Sequence, residues 1–265
     1  MVRRVVNVRL QHTSMQFSDS VGQHQHDAKA LFARAKDKGV WACTGTEAGA
    51  GRSNHDLRDA LIQEAKKQGF YLNAHAQGDW VALNREYLEN FTKGFAGPFI
   101  KSTAGSGKNA AQGAHAARGV AWASGTAKGA RLGRITVGSA HYLTNRSEAV
   151  SGSNDKLVNG ISNWAREKGK GNGVVFLGAD TNTNDKRGDV FNGKPLTSIS
   201  DELKKWPATM GTTTWIDVIA SYDHDGRVKA KAYNVLNDKA FFLNSDHYLL
   251  DAVYEITERA PAKKV

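Results

Sequence analysis

The sequence of 265 residues contains a single cysteine, Cys43. One cysteine excludes an internal disulfide and any zinc cluster built from several thiolates. No stretch reaches the roughly 18 consecutive apolar residues that a membrane helix needs. The first residues, MVRRVVNVRLQH, alternate between polar and apolar side chains, which is typical of a strand and not of a signal peptide. We therefore expect a soluble intracellular protein without a membrane span.

Several catalytic motifs are also missing. No Gly-x-Ser-x-Gly elbow occurs, which argues against a serine hydrolase of that type. His24 and His26 do not have the helical spacing of a paired zinc site, and we expect them to be polar residues where a helix begins. The segment GSGKN is not a phosphate-binding Walker A loop, because Ser102 occupies the first glycine position and Asn109 follows Lys108.

Basic residues are in excess. The chain has 36 Lys+Arg against 26 Asp+Glu, a formal net charge of +10. Long-range attraction then favours a polyanionic partner, either a nucleic acid or an anionic membrane surface. We expect a nucleic acid, DNA in the first place, bound by a monomer. Simple solubility is the alternative explanation of the charge.

The apolar pattern alternates between strands and helices along the whole chain. Helices are predicted over Asp27–Lys36, Asn54–Gln68 and Asp155–Lys168, and Asp225–Gly226 is typical of a hairpin turn. Predicted strands include VVNVRL, VWAC, RITVGSAHYL, GVVFLGAD, TWIDVIAS and HYLLDAVYEI. No linker or repeat divides the chain. We expect a single catalytic domain over residues 1–258 and a basic tail over 259–265.

Acidic, amide and imidazole side chains recur inside or beside the predicted strands. The set comprises Asn7, Glu47, His141, Asp180, Asn182, Asp217, Asp246 and His247. Functional sites assemble at strand ends and adjoining loops in layered folds. Carboxylate and amide oxygens are the ligands that Mg²⁺ or Mn²⁺ prefers. Such a cation beside acid/base residues suits the attack of water on a phosphate ester.

The order of these motifs resembles the endonuclease/exonuclease/phosphatase superfamily, which has the deoxyribonuclease I-like fold. The resemblance runs over about residues 5–256, and WIDVIAS followed by NSDHY is its most specific part. It departs from the family pattern in GADTN, where an alanine separates the glycine from the aspartate. It implies an α+β fold, a four-layered α/β/β/α sandwich with two packed, mostly antiparallel mixed sheets.

The resemblance also implies a role for each matching residue. Glu47 corresponds to the principal metal carboxylate, with Asn7 and Asp246 beside it. Asp180 and Asn182 correspond to the residues that hold the attacking water and the phosphate. The remaining catalytic positions are the phosphate-side histidines His141 and His247, and Asp217, which orients His247. Which group is the general base stays open.

The substrate is not determined by the fold, because relatives cut nucleic acids, inositol phosphates or sphingomyelin. The net charge favours a metal-dependent nuclease, an endonuclease acting on DNA, with Arg52, Lys108 and Arg118 as nucleic-acid contacts. The alternatives are a lipid or inositol-phosphate phosphodiesterase or phosphatase, and an inactive relative that binds nucleic acid.

Overall fold

The computed structural model describes residues 3–14, 21–48, 54–101, 117–143, 151–182, 191, 194–210, 214, 216–236, 245 and 247–260. The predicted site residues Arg52, Lys108 and Asp246 lie outside this set, as does most of the Gly/Ala-rich segment over 101–118. Among the described residues, no helix combines the length and the apolar character needed to cross a membrane.

Two six-stranded sheets form the centre of the molecule. The first sheet has the order β11-β12-β1-β2-β4-β3 and the second the order β5-β6-β7-β8-β10-β9. The strands are β1 (Val5–Ser14), β2 (Val40–Thr46), β3 (Phe70–Ala74), β4 (Trp80–Asn84), β5 (Leu88–Ile100), β6 (Arg118–Ala127), β7 (Arg134–His141), β8 (Val174–Asp180), β9 (Thr197–Ser198), β10 (Asp217–Asp223), β11 (Val228–Leu236) and β12 (Leu249–Thr257).

Four α-helices accompany the sheets in the described part of the chain. They are α1 (Val21–Asp37), α2 (Asn54–Gln68), α3 (Ser151–Gly169) and the short α4 (Ile199–Leu203). A 3₁₀ turn over Lys170–Asn172 follows α3. Leu31 and Leu61, from α1 and α2, pack with Cys43 on the outer face of the first sheet. Ile161 of α3 packs with Leu177 on the outer face of the second.

A third apolar cluster fills the space between the two sheets. It includes Leu10 and Val81 from the first sheet and Val137 and Phe176 from the second. Strands β2 and β8 are buried along their whole length because other layers cover both of their faces. This explains the apolar runs VWAC and VVFL with which the two strands begin. The predicted α/β/β/α sandwich with two mixed sheets is confirmed.

Each sheet contains one parallel pair of strands, and all of its other pairs are antiparallel. Strand β1 runs parallel to β2, and β7 runs parallel to β8. Neighbouring parallel strands bring their carboxyl ends to the same edge of a sheet. The residues that end β1, β2, β7 and β8 are therefore brought together in pairs, which positions the site described below.

Helix α1 and strand β5 differ from the sequence-based expectation, and the short elements β9 and α4 were not predicted. Helix α1 begins at Val21 and not at Asp27, so that His24 lies inside the helix and is buried. Strand β5 has no counterpart in the sequence-based prediction. Its register against β6 shifts twice, and the segment contains Gly94, Gly97 and Pro98, so the two-residue alternation that identifies a strand is broken.

The two sheets approach closely at Gly178 of β8, which faces His12 and Thr44 of the first sheet. A methyl group on Gly178 would overlap Thr44 Oγ1 and would lie 2.5 Å from His12 Nδ1. His12 and Thr44 are both buried, so neither can move aside into solvent. The absence of a side chain at position 178 allows these two polar residues to lie between the sheets.

We expect Gly178→Ala to lower the free energy of unfolding by about 1–3 kcal/mol, the usual cost of overfilling a packed interior. Chemical denaturation followed by circular dichroism measures the loss. Adding Thr44→Ala removes the nearest overlapping atom, so the double variant should lose less stability than the sum of the two single variants. Additive losses would contradict the described contact.

Candidate active site

His141, Asp180 and Asp217 form a row across three neighbouring strands. His141 pairs with Asp180 across the parallel β7–β8 ladder, and Asp180 pairs with Asp217 across the antiparallel β8–β10 ladder. All three side chains are buried. Residues that are directly opposite on neighbouring strands project from the same face of the sheet. The backbone register therefore brings two carboxyl groups and one imidazole together.

Glu47 reaches this row from the end of β2 in the other sheet. His141 Nε2 lies 3.7 Å from Glu47 Oε1 and 3.5 Å from Asp180 Oδ2. Ser14, at the end of β1, hydrogen-bonds to Thr46 at 2.8 Å and donates to Glu47 Oε2 at 3.3 Å. The φ of Glu47 is 65°, a left-handed conformation that is uncommon for a residue with a side chain. Such conformations cluster at functional sites.

His247 precedes β12 and lies at the other end of the row. Its Nδ1 is 2.8 Å from Asp217 Oδ2, and its Nε2 is 4.0 Å from Asp180 Oδ2. Ser245 fixes the position of this segment through two hydrogen bonds. The backbone N–H of His247 donates to Ser245 Oγ at 3.1 Å, and Ser245 Oγ donates to the carbonyl of Ser14 at 2.8 Å. Ser245 thus links the His247 segment to the end of β1.

Asn182 fixes the orientation of Asp180. Its backbone N–H donates to Asp180 Oδ1 at 2.9 Å, and its side-chain amide donates to the carbonyl of Tyr142 at 2.9 Å. Asn182 has a φ of 50°, which an asparagine tolerates better than most residues. With Oδ1 occupied in this way, Asp180 directs Oδ2 towards His141 and His247.

The two neighbouring aspartates have opposite pKa shifts. Burial and the negative charge of Asp217 raise the pKa of Asp180 well above its usual range. Burial also opposes ionisation of Asp217, but the adjacent His247 and His12 outweigh it and lower the pKa of Asp217 to about 2. Two carboxyl groups in one site therefore have different proton affinities, an arrangement that suits acid/base chemistry.

The hydrogen-bond partners of both histidines determine which nitrogen carries the proton. Ionised Asp217 only accepts, so His247 Nδ1 carries the proton between them. Arg118 Nη1 lies 3.2 Å from His141 Nδ1, and a guanidinium only donates, so the proton of neutral His141 is on Nε2. Burial and the charge of Arg118 lower the pKa of His141 well below its usual value, which keeps the ring neutral.

Among the described residues, two overlapping groups of side chains are close enough to hold a metal ion. One contains Glu47, His141 and Asp180, and the other contains Asp180, Asp217 and His247, with potential ligand atoms within 4.8 Å of one another. Because His141 Nε2 carries its proton and His247 Nδ1 donates to Asp217, the carboxylate oxygens are the better ligands. Burial and the negative charge of Asp217 raise the pKa of Asp180, and a cation would offset both effects, so the donor set fits a hard divalent ion.

The structure brings most of the sequence-predicted residues into one cluster, namely Glu47, Arg118, His141, Asp180, Asn182, Asp217 and His247. Asn7 is a correction, because it is exposed on β1 opposite Glu255. It precedes Ser14 by seven strand residues, a distance of about 23 Å. The residue of β1 that contacts Glu47 is Ser14, and we no longer assign Asn7 to the site.

Sequence reasoning missed three polar residues around the cluster: Ser14, His12 and Asp79. For the first two, the sequence signal of the strand ended at Leu10, because the segment QHTS that completes β1 is entirely polar and shows no alternation. Asp79 lies beside Gly78, whose carbonyl accepts the N–H of Ala48 at 2.9 Å. Its position next to Glu47 depends on a loop contact that no local pattern indicates.

The Asp79 carboxyl group is buried, and neither of its oxygens has a hydrogen-bond partner among the described residues. Burial raises the pKa of Asp79 to about 8; the positive charge of Arg118 opposes this shift and the negative charge of Glu47 adds to it. A carboxyl group with a raised pKa takes up a proton on folding, so its contribution to stability decreases as the pH rises from about 4 to 8.

We expect Asp79→Asn to reduce the loss of stability between pH 4 and pH 8, because asparagine has no proton to lose in this range. The change should exceed about 1.4 kcal/mol, the equivalent of one pKa unit. Urea unfolding with EDTA at both pH values measures it, with the exposed Asp59→Asn as the control. An unchanged pH dependence would show that Asp79 is ionised in the folded protein.

Comparisons with known proteins support the fold through structure alone. Neither a family model nor a curated protein sequence matches the chain. An endonuclease/exonuclease/phosphatase family protein from Bacteroides thetaiotaomicron superposes with a TM-score of 0.68 at 14% identity, covering 98% of this chain and 100% of that one. TDP2 of D. rerio, complexed with a single-strand DNA product, gives 0.68 at 12% identity over 94% and 98% of the two chains.

A third similar structure is a mannosyl-6-phosphatase from Bacteroides thetaiotaomicron. Its TM-score is 0.63 at 16% identity, with 92% of this chain and 99% of that chain covered. Identities this low establish a shared fold and leave activity to be tested. The order of the sheets, the positions of the helices and these superpositions agree: the chain has the deoxyribonuclease I-like fold of the endonuclease/exonuclease/phosphatase proteins.

Proposed function

We propose that this protein is a divalent-metal-dependent phosphoesterase, and that its substrate is the phosphodiester backbone of DNA. The observation that carries the proposal is the row of His141, Asp180 and Asp217, which Glu47 and His247 complete from two other segments. Carboxylates beside two histidines with defined tautomers provide metal ligands, a proton acceptor and hydrogen-bond donors in one place.

Glu47 and Asp180 are the described carboxylates that would hold Mg²⁺ or Mn²⁺. Asp246, the further metal ligand of the sequence-based hypothesis, lies outside the described residues. When bound, the cation would neutralise negative charge on the phosphate oxygens. These residues fit a hard divalent cation because they offer oxygen ligands, and because Asp180 is buried beside the negative charge of Asp217.

The protein's own side chains would manage the protons. His247 donates a hydrogen bond from its Nδ1–H to ionised Asp217, which leaves Nε2 on the side of Asp180. His141 carries its proton on Nε2 and can donate it to a phosphate oxygen. Asp180 Oδ2, which faces both histidines, would orient the attacking water, with Asn182 fixing the carboxyl group through Oδ1.

The net charge of +10 supports a nucleic acid over a small phosphate. The similarity to a TDP2 structure with a single-strand DNA product points in the same direction. Arg118, which contacts His141, is a described basic residue beside the proposed phosphate chemistry. Arg52 and Lys108 remain proposed nucleic-acid contacts outside the described residues. A phosphomonoesterase is the second candidate, favoured by the similarity to a mannosyl-6-phosphatase.

A panel of substrates tests the proposal. Supercoiled plasmid, a single-stranded oligonucleotide, mannose 6-phosphate and an inositol phosphate are each incubated with the protein and Mg²⁺ or Mn²⁺. We expect nicking of the plasmid that EDTA and His247→Ala abolish. Glu47→Gln should require at least about tenfold more metal for half-maximal rate, because it removes a charged ligand.

Each other outcome of the panel has a defined meaning. Release of phosphate from the monoesters without nicking would support the second candidate. Binding of the oligonucleotide without any turnover would support the inactive relative and contradict the proposal. Asp155→Asn, on the exposed surface of α3, is the control for the charge change. Metal-independent nicking that survives both site variants would indicate a contaminating nuclease.

Asp217→Asn should lower kcat by about 10²–10⁴-fold, because the amide cannot stabilise positive charge on His247 or maintain its tautomer. Asparagine is the informative replacement, since Asp217 is buried and alanine would leave a cavity. Thermal unfolding monitors folding, and single-turnover rates monitor chemistry. A rate equal to that of the wild type would remove Asp217 from the catalytic assignment.

A further inference from the structure

His12 is a fully buried histidine at the centre of the sandwich, outside the set of residues that sequence analysis identified. It lies on β1, where it is opposite Thr44 of β2 and Leu250 of β12. Its side chain projects from the first sheet onto Gly178 of the second, two residues before Asp180. A buried imidazole is costly unless both of its nitrogens have partners.

Each nitrogen of His12 faces one polar side chain. Nδ1 lies 2.9 Å from Thr44 Oγ1, and Nε2 lies 3.6 Å from Asp217 Oδ1. The second distance exceeds a normal hydrogen bond. However, neither His12 Nε2 nor Asp217 Oδ1 has a hydrogen-bond partner within the described residues. Each atom is therefore a suitable partner for the other.

The surroundings determine the proton on His12 Nε2. An ionised carboxylate only accepts hydrogen bonds, so an unprotonated Nε2 would turn its lone pair towards a negative charge. Thr44 Oγ1 can donate to Nδ1, or it can accept from Nδ1 and donate to the carbonyl of Gln11 at 3.3 Å. The Nε2 proton is present in both arrangements, and it points at Asp217.

Asp217 therefore lies between two histidines. Oδ2 accepts from His247 and Oδ1 faces His12, while the backbone N–H of Asp217 donates to Thr209 Oγ1 at 3.0 Å. A carboxylate held through one oxygen can rotate about its Cβ–Cγ bond. A carboxylate held through both oxygens has a defined plane, and that plane sets the direction of the His247 ring.

We propose that His12 is a positioning residue of the candidate active site: it holds Asp217 through Oδ1 so that Asp217 orients His247 through Oδ2. The lowered pKa of Asp217, to which both histidines contribute, is consistent with this arrangement. The contact that places His12 at the site is the one between its Nε2 and Asp217 Oδ1, so we assign its effect on the reaction to Asp217. The kinetic part of this inference rests on the proposed function.

Two substitutions separate the two nitrogens of His12. The amide nitrogen of glutamine reaches about as far from Cβ as imidazole Nε2, whereas that of asparagine reaches only as far as Nδ1. His12→Gln thus keeps a donor to Asp217, and His12→Asn loses it while it keeps a polar group near Thr44. We expect His12→Asn to lower kcat about tenfold to 100-fold with KM within about twofold, and His12→Gln to recover most of the loss.

A spectroscopic measurement does not depend on turnover. The Nδ1 proton of His247, bonded to a carboxylate, should give a proton resonance downfield of the amides, which His247→Gln assigns by its loss. We expect this resonance to persist in His12→Gln and to shift upfield or broaden in His12→Asn. The exposed His224 provides matched controls, since His224→Asn and His224→Gln should change neither the resonance nor kcat.

The outcomes are distinguishable. Equal behaviour of His12→Asn and wild type, or equal impairment of both His12 variants, would overturn the inference. If neither variant folds, the ¹⁵N spectrum of wild-type His12 decides, because an unprotonated Nε2 would contradict the proposed contact. Absence of turnover on every substrate, with the resonance behaving as described, would reject the proposed function and leave the positioning role of His12 supported.

Discussion

The site depends on the pairing of Asp180 and Asp217, two buried carboxyl groups directly opposite each other on neighbouring strands. Like charges in this position destabilise a sheet, and burial increases the cost. The structure offsets this cost unequally: His247 and His12 stabilise the charge of Asp217, whereas Asp180 has a raised pKa. One carboxylate is thereby ionised and immobilised, and the other remains basic and requires a proton or a cation.

This difference in proton affinity between Asp180 and Asp217 connects the fold to the proposed chemistry. The two parallel strand pairs bring Glu47 and Ser14 together in one sheet and His141 and Asp180 in the other. Packing of the sheets then aligns the two edges, so that His141 Nε2 lies within 4 Å of carboxylate oxygens from both.

Much of this arrangement was predictable from local sequence. The apolar runs of β2 and β8 indicated strands, and the polar residues that follow them indicated a site at those ends. The motif order correctly led to the sandwich and to the contact of His247 with Asp217. The assignment of Asn7 to the site was wrong because the length of strand β1 was underestimated. The strand continues to Ser14, so the residue beside Glu47 lies seven positions after Asn7.

The sequence by itself determined the strands, the helices and the types of side chain available, because periodicity and residue chemistry are local properties. The layers followed from the resemblance of its motif order to a known superfamily. Only the tertiary structure decided which of these side chains act together. His12 and Asp79 look like ordinary polar residues in the sequence, yet one faces Asp217 across the sheets and the other is buried beside Glu47. Their properties come from burial and from the charges of distant segments, and those are known only after the two sheets have packed.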